Sequence, residues 1–236
     1  MGRLQRILPP LIYDRLVNSN IRNSPLKNHG WKGNYKSWQD AKKASNGYDS
    51  EAILQKVRQS SLSVMNGDFA YERDSVLFAK IQYNWPLLSA LLQSMATHNG
   101  DLTLIDFGGS LGSTYRAYKD ILLKTGMVTW VVVEQKHFVE IGKKEFEDEN
   151  LKFENSLQEA VEKFHPNTIL LSSVLQYLDR PYELVNEIKQ ISFNKIIIDR
   201  TAFIDDSERI TVQQVPEEIY PASYPRSEER RVGKEC

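Results

Sequence analysis

The chain has 236 residues, with 30 basic against 31 acidic side chains and a formal net charge of −1. That length suits one α/β domain with a modest additional segment. The charge balance excludes the basic field of a nucleic-acid binder, and no apolar run approaches the roughly 20 residues needed to span a bilayer.

Residues 1–30 place Leu4, Ile7, Leu8, Leu11, Ile12 and Leu16 at helix-like spacing, interrupted by Pro9-Pro10. The stretch is too short and broken for a secretion signal. Arg6 stands where myristoylation needs Ser or Thr. A helix packing on its own domain is expected, because Arg3, Arg6 and Arg15 are too few for a membrane-surface role. The protein is expected to be soluble and cytoplasmic, without stable membrane insertion.

Residues 31–100 read as mostly helical. Ser37 or Asp40 starts one helix, and Asp49-Ser50-Glu51 starts another through Ile53, Leu54 and Val57. Asn66-Gly67-Asp68 is a turn, and a third helix is expected from about Ser75. Trp85-Pro86 marks a boundary or first-turn proline ahead of the apolar run Leu87–Leu92, and His98-Asn99-Gly100 closes the region.

From residue 101 strands and helices alternate. Strands are expected at 102–106, 128–134, 151–154, 168–172 and 195–199, with helices near 113–124, 136–148, 156–164 and 181–190. The runs Ile169-Leu170-Leu171 and Ile196-Ile197-Ile198 imply cover on both faces, hence a parallel, doubly wound α/β sheet.

The strand Leu102–Asp106 runs into a turn with Gly108, Gly109 and Gly112. Gly108 and Gly109 allow a sharp bend and close approach to a ligand. Gly112 opens a helix, whose N-terminus attracts anions. The pattern is not the G-x-G-x-x-G of a dinucleotide site. Asp106 at the strand end would repel a pyrophosphate but suits the ammonium group of a methionine-like cofactor. Glu134 ends the next strand, where a carboxylate accepts hydrogen bonds from both ribose hydroxyls. Together these point to S-adenosylmethionine; a turn that binds nothing is the alternative. Phe138 packs either on adenine or in the core. Glu154, Asn155 and Ser156 lie where adenine-edge contacts arise, with Asn155 and Ser156 the candidates.

Ser172, Ser173 and Gln176 are polar residues in an otherwise apolar run at the end of the fourth strand. They either face ligand or cap a helix; Ser172 is a candidate for cofactor and Gln176 for substrate. Asp199-Arg200 ends the fifth strand at the same rim. Asp199 is a candidate base and Arg200 a candidate substrate contact, against a plain salt-bridged strand end. His137 and His165 fall away from this rim and His29 and His98 have no partner at metal-ligand spacing, so no metal site is expected.

The order of these motifs resembles class I S-adenosylmethionine-dependent methyltransferases. With the flanking segments Gly33–Ala41, Gly47-Tyr48-Asp49, Tyr71–Ser75 and Thr211–Pro225, residues 30–225 resemble a bacterial methyltransferase family associated with surface-polysaccharide gene clusters. The resemblance implies a Rossmann-like fold, an N-terminal helical segment or lid over residues 1–100, and a cofactor domain over 101–225. It also implies a small-molecule or saccharide acceptor. In such a lid Arg73 would pair with the methionine carboxylate and Tyr71 would close over the sulfonium; an internal network of Glu72, Arg73 and Asp74 is the alternative. A non-catalytic cofactor-binding module and, less favoured, a nicotinamide-dependent oxidoreductase remain competing readings. Residues 226–236 match the in-frame translation of a common sequencing adapter, so a foreign tail is expected. The closing antiparallel strand pair would then be missing and a sheet edge exposed.

Overall fold

The computed structural model describes residues 30–47, 51–201, 203–204, 207–216, 219 and 222–230. The N-terminal apolar-periodic piece, His29, the Asp49-Ser50 helix start and residues 231–236 lie outside them.

Five parallel strands form the main sheet: β4 (Leu102–Phe107), β5 (Val128–Val133), β6 (Leu151–Glu154), β7 (Thr168–Ser172) and β8 (Lys195–Asp199), in the order β6-β5-β4-β7-β8. Their side chains alternate between two cores. Leu104, Trp130, Val132, Phe153 and Leu170 face one; Ile105, Val131, Val133, Ile169 and Leu171 face the other. Helices α2 (Glu51–Met65), α3 (Trp85–Thr97), α4 (Ser113–Thr125) and α5 (Lys136–Ile141) contribute to the first core. Helices α6 (Leu157–Phe164) and α7 (Pro181–Gln190) contribute to the second. The chain winds from β4 outward to β6, then returns to β7 on the opposite side. The switch point therefore lies at the carboxyl ends of β4 and β7, where open α/β sheets bind ligands.

The expected cover fails at β8. Ile197 is buried, but Ile196 and Ile198 on the opposite face are 46% and 48% exposed. Among the described residues no strand pairs with the outer edge of β8. The helix expected over 136–148 ends as α-helix at Ile141 and continues as a π-helical turn to Phe146. Gly142 lies against Phe153 there: a Cβ at Gly142 would stand 2.4 Å from that ring.

The N-terminal region is less helical than its composition suggests. β1 (Gly30–Tyr35) joins a second sheet with β10 (Arg209–Gln214), β11 (Ser223–Arg230) and β9 (Phe203–Ile204). β1 is mostly exposed and lacks apolar alternation, and its partner β10 is distant in sequence, so no local pattern announces it. The helix expected from Ser75 is instead a hairpin, β2 (Tyr71–Arg73) and β3 (Val76–Phe78). Asp74 and Ser75 form its turn with φ of 50° and 66°. Two successive positive φ values suit the twist of a tight hairpin, but Asp-Ser lacks the glycine that usually signals one.

Other boundaries follow local chemistry. Ser37 caps α1 (Trp38–Lys43) by accepting from the Asp40 amide. Asn84 caps α3 by accepting from the Leu87 amide, with Pro86 in the first turn. Residues 226–230, read as a foreign tail, extend β11 against β10 and β9, with Arg226, Ser227 and Glu228 buried.

Candidate functional site

The glycine turn follows β4. Gly108 has φ +72°, and a Cβ on it would stand 2.8 Å from Val174 Cγ2. Gly109 serves differently: a Cβ there would lie 2.6 Å from the Asp106 carboxylate. Glycine at 109 is thus the space into which the acid fits. Gly112 (φ +84°) is the N-cap of α4 and supplies no side chain to the first amides of the helix. A Cβ on Gly112 would strike Leu151, so Gly112 packs inward, whereas Gly108 and Gly109 line the cavity described below.

Asp106 is 1% exposed, and its Oδ2 accepts a hydrogen bond from Trp130 Nε1 at 3.1 Å. Burial pushes its pKa up to about 7, opposed by the Trp130 hydrogen bond and the charge of Arg200. Glu134 follows β5 directly and accepts from the Gln135 amide at 3.3 Å. Burial raises its pKa to about 7 as well, and the negative charge of Asp106 adds to the rise. Two carboxyl groups at adjacent strand ends therefore face one space, and burial makes both easier to protonate than surface carboxylates.

The β2–β3 hairpin brings Tyr71 and Arg73 to the same space. Tyr71 stacks on Phe78 at 5.8 Å, and the Arg73 guanidinium lies 5.5 Å from that ring. Burial raises the Tyr71 pKa, while Arg200 and Arg73 pull it down. Among the described residues no carboxylate lies within salt-bridge distance of Arg73. The internal Glu72–Arg73–Asp74 network weighed from sequence is therefore not formed.

At the ends of β7 and β8 the polar residues bind one another. Ser172 Oγ donates to Asp199 Oδ2 at 3.0 Å and accepts from Arg200 Nε at 3.3 Å. The Asn84 side-chain amide lies 3.0 and 3.1 Å from the two Asp199 oxygens. Arg200 completes the cluster with an ion pair to Asp199 at 3.6 Å. Gln176, expected to face ligand, is 3% exposed and does not line the cavity; its amide donates to Ser173 Oγ and to the Arg200 carbonyl. Its role is to hold the β8 end in place.

At the end of β6, Asn155 and Ser156 line the cavity. Ser156 is also the N-cap of α6, accepting from the Glu159 amide at 3.1 Å. Glu154 is tied to Lys143 at 3.1 Å and Lys163 at 2.6 Å and is structural. Phe138 is 1% exposed within the core, which resolves its two alternatives away from adenine.

These residues surround a cavity of about 1060 Å³ along the carboxyl edge of the sheet. Pockets for drug-sized ligands run to about 1,000 Å³, so this one has room for a nucleoside-sized group and a second reactant. A smaller cavity of about 310 Å³ adjoins it, lined by Asn84, Tyr118 and Asp199 and sharing Tyr71, Arg73, Thr114, Ser172 and Arg200. The far wall of the larger cavity comes from Trp38, Lys42, Tyr177, Gln213 and Tyr224. There Tyr177 donates to Gln213 at 2.9 Å and packs edge-on to Tyr224 at 5.3 Å. Sequence reasoning assigned none of these five to the site. For Trp38, Gln213 and Tyr224 the signal is the density of aromatic and amide residues in 33–41 and 211–225, two segments that meet through β1, β10 and β11, whereas Lys42 and Tyr177 lie outside both.

No protein-family model matches the chain, and no curated protein matches it. Among solved structures it is similar to the DhpI complex with SAM and HEP, at 12% identity over 77% of this chain and 84% of that chain, with a TM-score of 0.39. It is also similar to the N-terminal domain of EvdMO1 crystallised in the presence of SAH and D-fucose, at 9% identity over 76% and 84%, TM-score 0.37. A third is the Burkholderia thailandensis 1,6-didemethyltoxoflavin-N1-methyltransferase, bound to 1,6-didemethyltoxoflavin and S-adenosylhomocysteine, at 15% identity over 79% and 82%, TM-score 0.34.

Proposed function

We propose that the chain binds S-adenosylmethionine and transfers its methyl group to a small acceptor. One observation carries this reading: Asp106 lies buried beneath a glycine turn, one strand away from Glu134, and both carboxyl groups face the same cavity. A pyrophosphate would meet two negative groups there. A ribose diol beside Glu134 and an ammonium group near Asp106 would instead give each carboxylate donors or positive charge. When bound, the cofactor's sulfonium supplies an activated methyl group.

The remaining roles follow from position. Arg73 has a guanidinium unclaimed by any described carboxylate and would hold the methionine carboxylate, with Tyr71 closing over the same end. Asn155 and Ser156 would contact the adenine edge, and Ser172 the amino-acid portion. The acceptor would enter against the wall of Trp38, Gln213 and Tyr224, with Arg200 at the rim; a saccharide hydroxyl is the acceptor that the sequence resemblance suggests. Alignment and exclusion of water are then the protein's contribution.

Asp199 is the candidate base. Its oxygens already accept from Asn84 and Ser172, so as a base it would have to release one of these partners. That commitment favours, as a second reading, a cofactor-binding module without turnover. The first experiment is calorimetric titration with S-adenosylhomocysteine, S-adenosylmethionine and NAD. Binding of the first two and not the third is expected, and NAD binding alone would overturn the proposal. Methyl transfer from labelled cofactor to saccharide acceptors then separates the enzyme from the module.

A further inference from the structure

Glu72 stands between Tyr71 and Arg73 on β2, so its side chain leaves the strand on the opposite face from theirs. It is 2% exposed. Its Oε2 accepts from the Ser75 amide at 3.3 Å and its Oε1 from Ser61 Oγ at 3.4 Å. Ser61 lies on α2, is fully buried, and also accepts from Arg116 Nη2 at 3.1 Å. Arg116 lies in α4, and its Nη1 donates to the Leu111 carbonyl at 2.8 Å, inside the glycine turn. The Arg116 Nε is buried without a partner, and the guanidinium sits 5.4 Å from the Phe146 ring. Beside this chain, Ser60 donates to the Ser75 carbonyl at 2.9 Å.

Glu72 and Arg116 do not meet within salt-bridge distance. One buried hydroxyl, that of Ser61, lies between them. Burying the Glu72 carboxyl and part of the Arg116 guanidinium in this way costs more than apolar residues of the same volume would. Stability alone does not explain them. What they share is location: one end grips the turn of the β2–β3 hairpin, the other a carbonyl of the glycine turn.

We infer that Ser61, Glu72 and Arg116 are positioning residues that set the hairpin, and with it Tyr71 and Arg73, at a fixed distance from the glycine turn. This rests on the proposed cofactor. The ribose and amino-acid ends of one ligand are then read in a single register, although their contacts come from segments more than thirty residues apart.

Two ligands separate this role from a merely structural one. S-adenosylhomocysteine carries the amino-acid end that Arg73 would hold; 5′-methylthioadenosine has the same nucleoside without it. Dissociation constants for both are measured on the full chain, on Ser61→Ala and on Glu72→Gln, with thermal midpoints recorded alongside. Each substitution should weaken S-adenosylhomocysteine by roughly tenfold, the scale of one charge-assisted hydrogen bond, and leave methylthioadenosine unchanged. Adding Ser61→Ala to Arg73→Gln should cost little more, because the hydroxyl acts through the guanidinium. Equal loss for both ligands, no loss for either, or failure of both variants to fold would overturn the inference. If the unaltered chain binds neither ligand, the proposed cofactor itself fails.

Discussion

Replacing Asp106 by Asn should stabilise the empty protein and destroy its affinity for the cofactor. Burial raises this carboxyl from 3.8 to about 7. The fold therefore favours the protonated form. Wild-type stability from this group is fully present below pH 3.8 and falls as the pH rises toward 7. Each tenfold change in proton affinity between the folded and unfolded chain is worth about 1.4 kcal/mol, so the penalty is about 4 kcal/mol at pH 8 and about 2 kcal/mol at pH 5. Asn does not titrate, and its carbonyl can keep the hydrogen bond from Trp130 Nε1. Its new buried N–H groups cost about 1–3 kcal/mol, independent of pH. The diagnostic quantity is thus the difference: the advantage of Asn over Asp should grow by about 2–3 kcal/mol between pH 5 and pH 8. Urea unfolding of both proteins at the two pH values measures it, and titration with S-adenosylhomocysteine measures the loss of binding. An advantage that is equal at both pH values, or larger at pH 5, would refute the reasoning.

Three further outcomes are expected. Gly109→Ala brings a Cβ within 2.6 Å of the Asp106 carboxylate, which Trp130 holds in place. It should cost about 1–3 kcal/mol of stability by overpacking and abolish cofactor binding; retained affinity by calorimetry would show that the acid and the turn are not coupled. Glu134→Ala removes the carboxylate assigned to the ribose and should weaken S-adenosylhomocysteine about 10- to 150-fold, with circular dichroism unchanged; wild-type affinity would remove Glu134 from the site. Ile198→Lys places a charge on the half-exposed face of β8. It should change the unfolding free energy measured in urea by no more than about 0.5 kcal/mol, and a loss of several kcal/mol would mean that this face is covered.

The central sheet was legible because β5 and β7 carry apolar runs that two cores demand, and β8 a run of three isoleucines. Observed boundaries depart from the sequence reading by one residue, at Phe107 and Val133. The placing of Gly108, Gly109 and Glu134 at the carboxyl edge of the sheet was legible for a related reason, because each follows directly on an apolar strand; all three line the cavity there. The same local logic could not find β1, which has no apolar alternation and finds its partner in β10 far along the chain. It missed the β2–β3 hairpin because left-handed Asp74 and Ser75 do the work usually given to glycine. It overvalued Gln176, a polar group whose partners are Ser173 and the Arg200 carbonyl. The reading of Ile196-Ile197-Ile198 as doubly covered failed because hydropathy records a strand's capacity for burial, and β8 uses only Ile197.

Two carboxyl groups with midpoints of about 7, facing one cavity, also make the empty pocket a store of protons. Near neutral pH both hold protons far more readily than surface carboxylates do. A ligand that needs both ionised must therefore expel protons as it enters. The heat of binding would then depend on the buffer that takes up those protons, and phosphate and Tris would report different enthalpies for the same affinity. For the living protein, occupancy would follow local acidity as well as ligand supply.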